Sequence, residues 1–214
     1  MMRISLRALL LLLALLATAA SARDARPRGT AGVFDYYVLS LSWSPEYCAS
    51  PRRDDEPQCA RPYAFVAHGL WPQHERGWPA DCASRERVPE ATIDRLLPIM
   101  PSRSLILHEW RKHGTCSGLG ADRYFAAIER SFGSIRIPDR YRLLPDTLTI
   151  PARDLRRDLL AANPQLRPEG LVLHCAGRYL QEARICLDRG FASRACGADL
   201  RERCGERISL RPVR

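Results

Sequence analysis

Eight cysteines, all placed after a short apolar leader, constrain this chain more than any other feature. The leader, MMRISLRALLLLLALLATAASA, sets two arginines ahead of an apolar run from residue 8 to 17, and Ala20-Ser21-Ala22 has the small-x-small form of a cleavage site. This layout predicts a secretory signal peptide over residues 1–22, with Arg23 as the first mature residue. The apolar run is shorter than the ~20 residues a membrane span needs, so signal removal leaves no anchor. An even cysteine count in an exported chain reads as a disulfide framework, here of four bridges. No C-x-x-C pair is present to bite a zinc ion. The expected destination is the periplasm or the extracellular medium.

Residues 23–33 form a polar arm containing Arg, Pro and Gly. Residues 34–214 carry no repeat and no low-complexity linker, and their number suits one domain with a sizeable core. The formal charge is +9, and loss of Arg3 and Arg7 with the leader lowers it to +7. A basic exported protein favours polyanions such as nucleic acid or anionic surfaces. The sole asparagine, Asn163, precedes Pro164, so no N-glycosylation acceptor exists. A bare, arginine-rich surface suits a bacterial export product.

Periodicity predicts strands over 35–43 (DYYVLSLSW) and within 63–71 (YAFVAHGLW), the second ending at Gly69 or soon after. Helices are expected over 89–97, 104–113, 121–132 and from Pro151 to about Asn163, with Gly114 as a C-terminal stop. LVLHC, YLQEARICL and ERISLR read as short antiparallel strands bearing the last four cysteines. Helices and strands mix without a βαβ alternation. The expected class is α+β, with a central antiparallel sheet flanked by helices.

The stretch LHEWRKHGTC, residues 107–116, holds the only lysine of the chain, Lys112. On a helix at about 100° per residue, with His108 at zero, Lys112 falls near ~40°, Glu109 near ~100° and His113 near ~140°. One helical sector can therefore present two imidazoles, an ammonium and a carboxylate to a single ligand. The metalloprotease pattern H-E-x-x-H needs two histidines one turn apart. Here the spacing is H-E-x-x-x-H, which turns the second imidazole away from joint ligation. No Gly-x-Ser-x-Gly elbow appears either.

Phosphodiester cleavage by an internal hydroxyl fits the set better. It needs a base for the attacking 2′-OH and an acid for the leaving 5′-oxygen, roles that suit histidine. It also needs fixed cations for the charge that gathers on the phosphate. A lysine is a compact point charge, whereas arginine is a rigid fork. A second stretch, FVAHGLWPQ at 65–73, supplies a candidate partner acid in His68 and an aromatic plane for a base in Trp71.

HGLWP together with HEWRKHGTC resembles the two active-site segments of the ribonuclease T2 family, in the expected order. DYYVLSLSWSPEYC is similar to that family's N-terminal core strand, and the likeness spans residues from about 34 to 210. The resemblance implies an α+β fold and a metal-independent endoribonuclease that takes single-stranded RNA with low base specificity. It implies 2′,3′-cyclic phosphate products that are then hydrolysed to 3′-phosphates. No cofactor is expected, and the chain is expected to be a monomer. Carried onto matching positions, His113 is the general base and His68 the general acid. His108 holds the phosphate, Glu109 and Lys112 stabilise the charged transition state, and Trp71 stacks on a base. It further implies the pairs Cys48–Cys59, Cys82–Cys116, Cys175–Cys204 and Cys186–Cys196.

Two positions depart from the family pattern. Many relatives carry glutamine where this chain has Ser42, and an acidic base-reading residue of some relatives is Gln73 here. His74 and His174 match no catalytic position and are expected to be non-catalytic, His74 on the surface and His174 in a strand. Two rival readings stand beside this one: a metal-dependent hydrolase with histidine ligands, and an exported nucleic-acid-binding or toxin module of the same fold that needs no catalysis.

Overall fold

The computed structural model describes residues 29–50 and 57–214. The expected signal peptide, most of the expected arm and part of the 48–59 loop lie outside the described residues.

The sheet has the order β2-β1-β5-β6-β3, with β4 also paired to β5. Its strands are β1 (Tyr36–Trp43), β2 (Phe65–Gln73), β3 (Leu148–Pro151), β4 (Leu171–Ala176), β5 (Tyr179–Leu187) and β6 (Arg207–Leu210). The helices are α1 (Ser44–Tyr47), α2 (Glu90–Leu96), α3 (Arg103–Lys112), α4 (Ala121–Gly133) and α5 (Ala152–Ala162). The mixture is α+β, as the pattern of apolar periods implied. β1 pairs antiparallel with β2 and β5, β4 with β5, and β3 with β6. One parallel joint, Tyr179 opposite Ser209, links β5 to β6.

β1 is central because both of its faces are buried. Tyr37, Leu39, Leu41 and Trp43 enter the main core with α2, α3 and α4. Tyr36 and Val38 join Cys186 in a smaller cluster on the opposite face. A strand covered on both sides reads as a nearly continuous apolar run, which is the character of YYVLSLSW. α4 buries Tyr124, Phe125 and Ile128 along one stripe, the spacing of an amphipathic helix.

β2 runs past the expected end near Gly69, through Pro72 to Gln73. Proline cannot donate to a ladder, but β2 stands at the end of the strand order, where an edge strand accommodates it. The short strand β3 was not legible as one, since four residues give little alternation to read. α3 begins at the Ser102 cap, whose hydroxyl accepts from the Leu105 amide at 3.4 Å, and His113 is its C-cap. Gly114 then opens a single 3₁₀ turn and is not in the left-handed region expected of a helix-stop glycine. Its role is close approach: a Cβ there would meet Trp110 and lie 2.9 Å from the Tyr124 ring.

All eight cysteines are paired, as Cys48–Cys59, Cys82–Cys116, Cys175–Cys204 and Cys186–Cys196. The second pair ties the turn that ends the helix bearing LHEWRKH to the loop that follows β2. Among the described residues no helix is long and apolar enough to cross a membrane.

Candidate active site

A cleft of about 410 Å³ opens where β2 and β5 meet the C-terminal half of α3. His68, Trp71 and Gln73 reach it from β2, and His108, Glu109, Lys112 and His113 from α3 and its cap. The sequence-predicted site residues are thus brought together around one space. His74 lies outside it, 3.8 Å from Asp35, whereas His174 of β4 lines the far side.

His68 is aimed by a β-bulge. Leu41 pairs with Ala67 and Ser40 with Gly69, so His68 faces no partner of its own on β1. A bulged residue is freed from the pleat, which is how sheets re-aim a side chain beside a site. Its Nδ1 lies 2.6 Å from Glu182 Oε1 on β5, and its Nε2 lies 3.7 Å from Glu109 Oε1. A second bulge sits next to that partner: His174 pairs with Glu182 and Cys175 with Leu180, leaving Gln181 over. Arg184, two residues along the same strand face, closes on Glu182 Oε2 at 2.6 Å.

Glu109 enters the cleft beneath β2, only 1% exposed. The Trp71 indole N–H donates to its Oε2 at 2.7 Å. This approach is possible because residue 69 is glycine: a Cβ there would collide with Glu109 Oε2 and lie 2.5 Å from Trp71 Nε1. His113 is 6% exposed and stacks on Trp71, with ring centroids 5.4 Å apart at 30°. Its Nδ1 is buried with no hydrogen-bond partner. His108 stands at the exposed rim, its Nδ1 3.2 Å from the Arg111 guanidinium. Trp71 also meets the edge of His68 at 5.2 Å and carries the Arg184 guanidinium 5.3 Å over its ring. Trp78, 54% exposed, lines the same cleft with far more of its ring open.

These surroundings split the two inner histidines. Burial lowers the pKa of His68, but the Glu182 hydrogen bond and the charges of Glu109 and Glu182 outweigh it and hold His68 above its ordinary value. Burial, helped by the Lys112 and His108 charges, pushes His113 down to about 3. Burial and the Lys112 charge lower His108. Burial pushes Glu109 up to about 7, against the opposing pull of His68, Trp71 and Lys112. Glu182 is held at about 2: burial raises it, and the His68 and Arg184 contacts more than reverse that.

Glu182, Arg184 and Trp78 were missed in the sequence. Trp78 carried a signal, as an aromatic just past Gly77 in the loop after HGLWPQ. Glu182 and Arg184 carried a fainter one, two charged residues at period two in a strand that is apolar or aromatic apart from Gln181.

The sequence pattern of the Ribonuclease T2 family matches residues 34–196 of the 214-residue chain. The chain belongs to the ribonuclease T2 family. It is 38% identical over 203 residues to a ribonuclease of Aeromonas hydrophila, spanning 87% of this chain and 90% of that protein. It is 27% identical over 203 residues to Ribonuclease I of Escherichia coli K12, spanning 73% and 76%. In fold it is similar to the RNase-related protein from Calystegia sepium, with a TM-score of 0.69 at 22% identity over 85% of this chain and 98% of the other. In the structure the two segments HGLWP and HEWRKHGTC both contribute to one cleft.

Proposed function

We propose that this T2-family ribonuclease cuts single-stranded RNA internally with low base specificity, by attack of the substrate's own 2′-OH. The first products are a 2′,3′-cyclic phosphate and a free 5′-hydroxyl, and the cyclic ester is then hydrolysed to a 3′-phosphate. The observation that carries this reading is geometric: His68, held by Glu182, and His113, next to Lys112, line one cleft.

A general acid must hold its proton at the working pH, and a base must lack one. His68, backed by Glu182, is the acid that protonates the leaving 5′-oxygen. His113, buried beside Lys112, is the base that takes the 2′-OH proton. An arriving phosphodiester brings negative charge, which raises both groups and strengthens His113 as a base. Lys112 and His108 meet the non-bridging oxygens. Glu109 looks misplaced beside a phosphate if ionised. Burial raises its pKa to about 7 and an arriving phosphate raises it further, so Glu109 takes up a proton as substrate binds and donates a hydrogen bond to a phosphate oxygen, leaving Glu182 to hold the charge of His68.

Trp78 offers the open face of the base-side wall, beside Gln73 and a Trp71 ring already stacked by His113 and covered by Arg184. Stacking on an open aromatic face is worth ~1–3 kcal/mol per base and tolerates any base, which suits low specificity. DNA binds by charge and is not cut, because it lacks the 2′-OH. The four disulfides fit an exported enzyme that works in the periplasm or outside the cell.

The test is digestion of short RNA oligomers by the purified mature protein in excess chelator, with end-group analysis. Cyclic and 3′-phosphate ends are expected, together with loss of cleavage in His68→Ala and His113→Ala. Ends bearing 5′-phosphate and 3′-hydroxyl overturn the mechanism, because internal 2′-OH attack cannot make them.

A further inference from the structure

The cleft continues past the catalytic pair onto a cationic wall. His174 of β4 and Arg201 and Arg203 of the segment after β5 line this far side. That segment is pinned along its length. Disulfides hold both ends, Cys196 to β5 and Cys204 to β4. The Gly197 amide donates to the Tyr36 hydroxyl at 3.2 Å, and the Arg203 amide donates to the Leu173 carbonyl at 3.1 Å. Glu202 turns away from the cleft, accepting from the Leu173 amide at 3.2 Å and pairing with Arg156.

The acidic groups on this wall are spoken for. Glu182 is engaged by His68 and Arg184, and Asp199 accepts from the Gly77 amide at 2.6 Å. Arg203 has no side-chain hydrogen bond or carboxylate partner among the described residues, and Arg201 reaches only the Ala198 carbonyl, at 2.8 Å. His174 is not one of these cations: burial and the Arg184 charge lower its pKa, and its Nδ1 is sealed from the cleft. Neighbouring arginines are, by contrast, neutralised: Arg194 by Glu75 and Arg156 by Glu202. Uncompensated cations on a pinned segment, open to a cleft built for one phosphate, make a place for another.

We propose that Arg201 and Arg203 form a subsite for a second RNA phosphate, next to the scissile one. This rests on the ribonuclease reading and adds a substrate preference to it: chains carrying a flanking phosphate are cut faster than a bare dinucleoside monophosphate. Removing one hydrogen bond to a charged group costs roughly tenfold or more in affinity.

The experiment compares kcat/KM for NpN, pNpN and NpNp, in wild type, Arg201→Gln/Arg203→Gln and the distant exposed control Arg136→Gln. In wild type one phosphorylated dinucleotide is expected to exceed NpN about tenfold, and which one does so gives the polarity of the bound strand. The double variant is expected to erase most of that ratio, and Arg136→Gln to preserve it. The salt dependence of the favoured substrate should fall by about 0.7 in log–log slope for each phosphate that the variant no longer neutralises. An unchanged ratio in the double variant, or an equal fall for all three substrates, overturns the subsite. Wild-type protein that cuts none of the three sinks the ribonuclease reading itself.

Discussion

Glu182 Oε1 stands 2.6 Å from His68 Nδ1, on a strand 114 residues further along the chain. The contact fixes the imidazole by its inner nitrogen and turns Nε2 toward the cleft. It joins two strands that never pair with each other, since β1 runs between them.

Replacing Glu182 with glutamine keeps the shape and removes the charge. Glu182 raises the pKa of His68, so its loss lowers the pH at which the acid gives up its proton. The alkaline limb of the kcat/KM profile is therefore expected to move to lower pH. The rate should fall about 10–100-fold, less than the ~10²–10⁴ that the acid itself is worth. A drop in rate with an unmoved alkaline limb would reduce Glu182 to a packing role.

Glu109 makes a prediction about stability. Its folded pKa, about 7, is raised by burial above the unfolded value, so the folded state binds the extra proton. The sign follows: this stabilisation is complete below about 4.5 and is lost as pH rises through about 7. Glu109→Gln removes the dependence. Denaturant titrations at pH 4.5 and pH 8 should show the variant gaining on wild type with rising pH, by up to roughly 3 kcal/mol. Glu182 has the opposite sign and loses its contribution as pH falls toward 2, outside that window.

Gly69→Ala tests the close approach of Glu109 to β2. The added methyl collides with Glu109 Oε2 and Trp71 Nε1. Overpacking of this kind costs about 1–3 kcal/mol, small enough to leave most of the protein folded. Activity is expected to fall far more than the melting temperature does, since the displaced groups contact His68 and His113. Wild-type activity in this variant would show that Glu109 has room to move.

The Cys82–Cys116 bond closes a loop with a sequence separation of 34, which on chain entropy alone stabilises by ~4 kcal/mol. The Cys48–Cys59 bond, with a separation of 11, gives ~3 kcal/mol on the same basis. The paired serine variants should differ more in activity than in stability. The first releases the turn beside His113, while the second lies away from the cleft. Thermal melts and RNA cleavage assays on both double variants read this directly.

Much of the site was legible because α3 writes it locally. His108, Glu109, Lys112 and His113 fall in one sector by helical arithmetic, and the cleft receives all four. The α+β class followed equally from periodicity, with β1 betrayed by its apolar run. What stayed hidden depends on meetings between distant segments. Nothing in HGLWP says that a glutamate beyond residue 180 will hold its histidine. The orientation of that glutamate depends on a bulge at Gln181, and bulges leave no reliable mark in composition. Trp71 shows the same limit. Its aromaticity was plain, but its contacts with His113, His68, Glu109 and Arg184 come from three separate elements.

The bulge at His68 has a consequence for how chemistry was fitted into the sheet. Ala67 and Leu70 both enter the main core, although three positions apart, where strict alternation would set such neighbours two apart. Delete residue 68 and the alternation becomes regular, with every β1 partner preserved. For pairing and burial, a chain one residue shorter would serve as well. The sheet holds one residue more than its own architecture requires, and that residue is the histidine proposed to give the proton.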